Sequence, residues 1–273
     1  MNELIPVLDE AGLEELRRAR RLLERPGLAA QLANVVGAPM EYVISRRLPP
    51  RVTKLIHATT QSALERSLRL AATTLKPGST MPKPRNGLHA MAVAATGAAG
   101  GAFGLVGLAA ELPVTTTLIL RSISDIARSH GEHADDPATA LAVMQVLTMG
   151  GRSPGDDGTE SGYFAARAML AHQVAAATEY VAVHGLVANG GPAIVQLLGS
   201  IASRFSVKVS QKVAAQAVPV VGAVTGATLN SVFMRHFQRM AEGHFTVRAL
   251  ERSHGAEAVR AAYDSLGPAA SRG

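Results

Sequence analysis

The stretch GAAGGAFGLVGLAAELP, Gly97 to Pro113, places five glycines in seventeen residues, within an uncharged run from Leu88 to Ala110. Three structures use such a segment: a phosphate-cradling loop, a membrane span, or a helix whose glycines admit a close neighbour. A dinucleotide fingerprint needs G-x-G-x-x-G after a strand; Gly101 and Gly104 keep its last spacing, but position 99 is alanine. A Walker loop needs Gly-Lys-Ser/Thr, and no lysine lies between Lys83 and Lys208. The 23 residues from Leu88 to Ala110 are long enough to cross a bilayer. Ala and Gly contribute little to insertion, however, and Glu111 closes the run. The spacing favours packing. Gly97/Gly101, Gly100/Gly104 and, far downstream, Gly222/Gly226 are four residues apart, and Gly107 follows Gly104 by three. Small residues at that interval leave a flat helix face that another helix can approach at backbone distance. A glycine costs about 1 kcal/mol against alanine inside a helix, so the block predicts a close helix crossing that offsets it.

Helical periodicity dominates elsewhere. Leu13, Leu16, Ala19, Leu22 and Leu23 recur at steps of three and four until Pro26-Gly27. Further helices are expected over about 28–37, 39–46 and 51–75, then from Pro113 to His130 and from Pro137 to about Met149. Others are expected over about 163–184, over 192–217 with an interruption near Ser203, up to His254, and over 256–266. The Pro- and Gly-rich KPGSTMPKPRNG (76–87) and GGRSPGDDGTESG (150–162) read as loops. Asp136-Pro137 supplies an N-cap followed by proline at the first helical position. No alternating strand pattern emerges. The predicted fold class is all-α, a multi-helix bundle with two Gly/Ala-rich close-packed segments. Arg128-Ser129-His130-Gly131 recurs as Arg252-Ser253-His254-Gly255. Paired similar hairpins would produce this echo, but repeated use of a basic helix end with a glycine cap is the simpler reading.

Charge divides the chain. Residues 1–87 carry fourteen Lys/Arg against eight Asp/Glu, whereas 88–273 carry thirteen of each. Two regions are expected, a basic N-terminal helical region (1–87) and a Gly/Ala-rich helical core (88–273), packed together as one domain. A basic lobe suits an anionic surface, lipid headgroups or nucleic acid, while a solvated helix face that aids solubility explains the charge as well. Nucleic acid is not expected, since no recognised module or aromatic stacking set accompanies the charge. Without cysteine there are no disulfides or thiolate metal sites. The start MNELIPVLDE lacks the pattern of a signal peptide, so the expected location is the cytoplasm.

Candidate sites are few. His130, Glu132, His133 and Asp135 form a weak divalent-metal candidate, although a helix-to-helix turn explains them equally well. No motif requires a cofactor, and none groups a Ser-His-Asp triad. Isolated polar residues in apolar helices are more informative: Glu111, Arg121 and Asp125 in the first half, and Lys208, Lys212 and Asn230 in the second. Arg121 and Asp125 stand at i, i+4 and are expected to pair. A buried network of Glu111, Arg121 and Asp125, joined by Lys208 or Lys212, is one reading and would mark a site; a purely structural network or exposed side chains is the other.

GGAFGLVGLAAELPVTTTLILRSISDIARSHG, the Asp-Asp-Pro helix start with LAVMQVLTMGG, and the distal KVSQKVAAQAVPVVGAVTGATLNSVF with HFTVRALERSHG together resemble the EcsC protein family. The N-terminal LANVVGAPMEYVISRRLP is similar to it as well, and the resemblance covers roughly residues 13–263. Its matching positions are Gly100, Gly101, Gly104, Gly107, Glu111, Pro113, Arg121, Lys212, Pro219, Gly222 and Asn230. That family is named after a protein encoded beside an ABC transporter that influences secretion and exoprotein processing. The resemblance carries over no catalytic residues. The leading expectation, drawn from the basic N-terminal third and the small-residue segments, is a non-enzymatic helical protein meeting the inner membrane face or an ABC-transporter component. The alternatives are a hydrolase with a polar site near Glu111, Arg121 and Asp125, or a carrier of lipid or another apolar ligand.

Overall fold

A computed structural model describes residues 8–24, 27–39, 41, 43, 48–74, 86–133, 136–150, 162–184, 191–217 and 222–266. Among these residues there are nine α-helices and no strand, as an all-α bundle requires. They are α1 (Glu10–Leu23), α2 (Leu28–Val36), α3 (Pro50–Thr74), α4 (Asn86–Ser129) and α5 (Pro137–Gln145). A 3-10 turn, Val146–Thr148, continues α5. Then come α6 (Gly162–His184), α7 (Pro192–Gln216), α8 (Gly222–His254) and α9 (Ala256–Ser265). The helix expected over 39–46 falls mostly outside the described residues, as do nearly all of 76–87 and 150–162.

Two boundaries differ from expectation. The glycine block and the segment after it form one 44-residue helix with Pro113 inside it, where the sequence had suggested a fresh start. Proline removes one ladder donor. Nevertheless Leu112, Thr115, Thr116 and Ile119 are all buried, and Thr117 Oγ1 donates to the Pro113 carbonyl at 2.8 Å. Packing thus carries the helix through the proline. Likewise α7 runs unbroken past Ser203. Here Ile201, Ala202 and Phe205 are fully buried, and that burial outweighs the weak helix preference of serine.

The organising contact pairs α4 with α8, the most extensive helix–helix contact among the described residues. The two run parallel. Gln238 Nε2 donates to Ser122 Oγ at 2.9 Å, Thr246 Oγ1 meets His130 Nε2 at 3.2 Å, and Arg248 Nε donates to Glu132 Oε1 at 2.9 Å. Each pair is separated by 116 residues, so one register holds over the C-terminal turns of both helices. The echoed tetrapeptides therefore lie together, with Arg252 Nη2 donating to the His130 carbonyl at 2.5 Å. Both helices end on a glycine of positive φ, Gly131 at 80° and Gly255 at 85°. At the first, Glu132 N–H closes back to the Ala127 carbonyl at 3.1 Å.

Helix α8 is the axis of the core. Leu229, Phe233, Phe237, Ala241, Phe245 and Val247 are buried along it, and Phe205 of α7 packs edge-on against Phe237. Helices α1, α2, α4, α7 and α9 all pack against α8. Arg20 of α1 is buried, donates to the Tyr263 carbonyl at 2.7 Å and lies over the Tyr263 ring, tying α1 to α9. Helix α3 packs on α4 and α7, and α6 on α5 and α7.

Candidate functional site

The isolated polar residues resolve into separate groups. Glu111 of α4 and Lys212 of α7 form a buried ion pair, Nζ to Oε1 2.5 Å, with the ammonium 5.5 Å from the Phe233 ring centre. Burial disfavours the Lys212 charge, and the Glu111 carboxylate beside it opposes that effect. Asn230 of α8 is also fully buried. Arg121 is exposed and Asp125 faces Arg128 at 3.8 Å, so the predicted Arg121–Asp125 pair and its junction with Glu111 do not form. The physical reason is rotational. Ile119, Leu120, Ile123 and Ile126 claim the inward face of α4 and turn Arg121 to solvent.

Lys208 lies one turn before Lys212 but has no ion-pair or hydrogen-bond partner among the described residues. Burial, reinforced by Arg204, pushes its ammonium down to about 7. His236 of α8 lies near it and is held neutral, pushed down to about 3 by burial and then by Lys208 and Arg239. His244 is kept well below its ordinary value by burial, and its Nδ1 lies 2.9 Å from Tyr163 Oη. The sequence signal for these two histidines was their place on a helix surrounded by aromatic residues.

The metal candidate has other occupations. Glu132 takes bonds from Arg248, Arg252 and Thr139. Burial opposes its ionisation, but the arginines outweigh that and hold the carboxyl below the usual range. His130 Nδ1 lies 2.9 Å from the Ile126 carbonyl, His133 is exposed, and Asp135 lies outside the described residues. No group of three or more His, Cys, Asp or Glu is gathered as for a metal ion among the described residues. Gly97, Gly100, Gly101, Gly104 and Gly107 lie on α4, and Gly222 and Gly226 open α8. Gly226 is buried; the packing of the five on α4 lies outside what is described.

Sequence reasoning missed the outer face of the α6–α7 pair. From Ala168 to His184 the exposed positions of α6 are Ala168, Met169, Ala171, His172, Ala175, Glu179, Ala182, Val183 and His184, with one formal charge among them. Met169 is 54% and Val183 73% exposed; on α7, Val195 is 50% and Val207 58% exposed. A groove of about 410 Å³ runs between the two helices, lined in part by Gln173, Gln196, Ser200, Ser203 and Arg204. The legible signal was a helix rich in Ala and Val on both sides. Among the described residues, no helix is long and apolar enough to cross a membrane.

No curated protein and no solved structure matches the chain. One family model does, over residues 10–250, a span that takes in the glycine block, the Glu111–Lys212 pair and the parallel α4–α8 contact. The chain belongs to the EcsC protein family.

Proposed function

We propose that this chain is a non-enzymatic helical protein that associates peripherally with the inner membrane face, in an accessory role beside an ABC transporter or a secretion process. The observation that carries the reading is the outer face of α6. A mostly apolar helix belongs in an interior, yet α6 buries one side and exposes Met169, Ala175, Ala182 and Val183 on the other, with His172 and the single carboxylate Glu179 among them. Exposed apolar surface of this kind, beyond scattered single side chains, is the mark of a protein or membrane contact. Basic surface elsewhere supports it: α3 exposes Arg51 and Lys54 beside Leu55, a mixture suited to an anionic interface. Arg17 and Arg21, by contrast, are engaged by Glu14 and add little.

The test is flotation with vesicles of phosphatidylcholine alone and with added phosphatidylglycerol. Wild type is expected to float with the anionic vesicles, and Met169→Asp/Val183→Asp, folded by circular dichroism, to stay behind. Wild type that ignores both vesicles, or a double variant that floats unchanged, overturns the reading.

A further inference from the structure

The groove between α6 and α7 has unused bonding capacity. Arg204 projects into it half-buried, and its one contact among the described residues is Nη2 to the Met169 thioether at 3.4 Å. A thioether is a weak acceptor and no counter-charge for a guanidinium. Helix α7 carries Arg204, Lys208 and Lys212 without any Asp or Glu, and Glu111 answers Lys212 alone. The surplus is felt one turn away, where Arg204 adds to burial in pushing the Lys208 ammonium down.

The remaining polar lining is equally uncommitted. Gln173 Oε1 is buried with no hydrogen-bond partner. Gln196, Ser200 and Ser203 make no hydrogen bond to the described protein. Gly199 keeps the wall between them low, since a Cβ there would meet nothing within 4 Å. Convergent polar groups in a concavity are the usual makings of a ligand site. A guanidinium fork flanked by hydroxyl and amide donors suits a tetrahedral oxyanion with several acceptor oxygens, and a buried amide oxygen suits a hydroxyl on the same ligand. The surroundings are apolar: Met169 lines the groove, while Val195 and Val207 stand half-exposed on α7.

We infer that the α6–α7 groove is a headgroup site for an anionic phospholipid, with Arg204, Ser200 and Ser203 on the phosphodiester and Gln173 on a headgroup hydroxyl. The inference rests on the peripheral-membrane reading for its lipid source. It adds a specific residue and a specific chemistry to that reading.

Two titrations separate the claims. In the first, wild type, Arg204→Gln and Arg204→Lys are titrated with phosphatidylglycerol vesicles. The expected result is about tenfold weaker binding for Arg204→Gln, the loss of one charge-assisted contact, with part of it restored by Arg204→Lys. In the second, monomeric dihexanoyl phosphatidylglycerol and glycerol 3-phosphate are titrated into each protein by NMR. Shifts at Gln173, Ser200 and Ser203 amides with the short lipid, lost in Arg204→Gln, support the site. Equal vesicle affinity for wild type and a folded Arg204→Gln overturns the site and leaves the membrane reading standing. Short-lipid binding at Arg204 without vesicle binding keeps the site and removes the membrane reading. Equal or tighter binding of glycerol 3-phosphate overturns the lipid assignment in favour of a soluble phosphate ester.

Discussion

Lys208 and Lys212 stand one turn apart on α7, both buried, and differ in what they face. Lys212 has Glu111 at 2.5 Å; Lys208 has neighbouring Arg204 on its own helix and His236 across on α8. A buried ammonium without a counter-charge prefers to be neutral, and that preference makes stability depend on pH. In the unfolded chain Lys208 releases its proton near 10.5, and in the folded chain at about 7. Between those values the unfolded chain binds a proton that the native one lacks, so stability rises with pH across the window. Below it both states are protonated and the contribution is flat. The slope from this residue reaches about 1.4 kcal/mol per pH unit. Urea unfolding at pH 7, 8 and 9 is expected to show wild type gaining stability relative to Lys208→Met, which also starts more stable at pH 7. Parallel pH profiles for the two proteins would refute it. His236 acts at the acid end, where its neutral burial removes stability as pH falls from 6.5 towards about 3.

Among the helices, close approach is what the glycines decide, and Gly243 shows it most directly. Where α1 crosses α8, a Cβ on Gly243 would lie 2.7 Å from Leu23 Cγ and 3.0 Å from the Ala19 carbonyl oxygen. Leu23 can turn aside; the carbonyl belongs to the α1 backbone and cannot move alone. Alanine would gain about 1 kcal/mol in helix preference and lose about 1–3 kcal/mol to overpacking. Gly243→Ala is therefore expected to destabilise by up to about 2 kcal/mol in denaturant unfolding, and a stabilised variant would show that α1 is free to shift. This crossing was not apparent in the sequence, because one glycine in a helical run carries no partner's name. The long Gly/Ala blocks could be read as helix, and Gly131 and Asp136-Pro137 as a stop and a start, since those signals are local. The parallel α4–α8 register could not, because it is set by contacts 116 residues apart. For the same reason Glu111 could be singled out as a buried charge needing a partner, while the choice of Lys212 over Arg121 awaited the rotation of α4.

Across the described residues of the whole molecule, burial is concentrated around α8 and thins towards α6. Phe233, Phe237, Phe245 and Val247 are essentially inaccessible, with α1, α2, α4, α7 and α9 packed around their helix. Helix α6 is fastened at its start, where Arg167 meets Glu251 at 2.6 Å and Tyr163 meets His244 at 2.9 Å. Its last two turns hold only Ala177 and Val181 fully inside. Amides in α8 between 233 and 247 should therefore exchange with solvent only through global unfolding. Those of α6 from 174 to 184 should open locally, at a free energy lower by about 2 kcal/mol or more. Hydrogen exchange read by mass spectrometry gives both values on one sample. Anionic vesicles would cover the outer face of α6 and α7, and protection is expected to rise there and to stay unchanged in α8. Protection gained instead in α1 or α3 would move the contact to the basic N-terminal helices and leave the exposed valines of α6 and α7 without a membrane role.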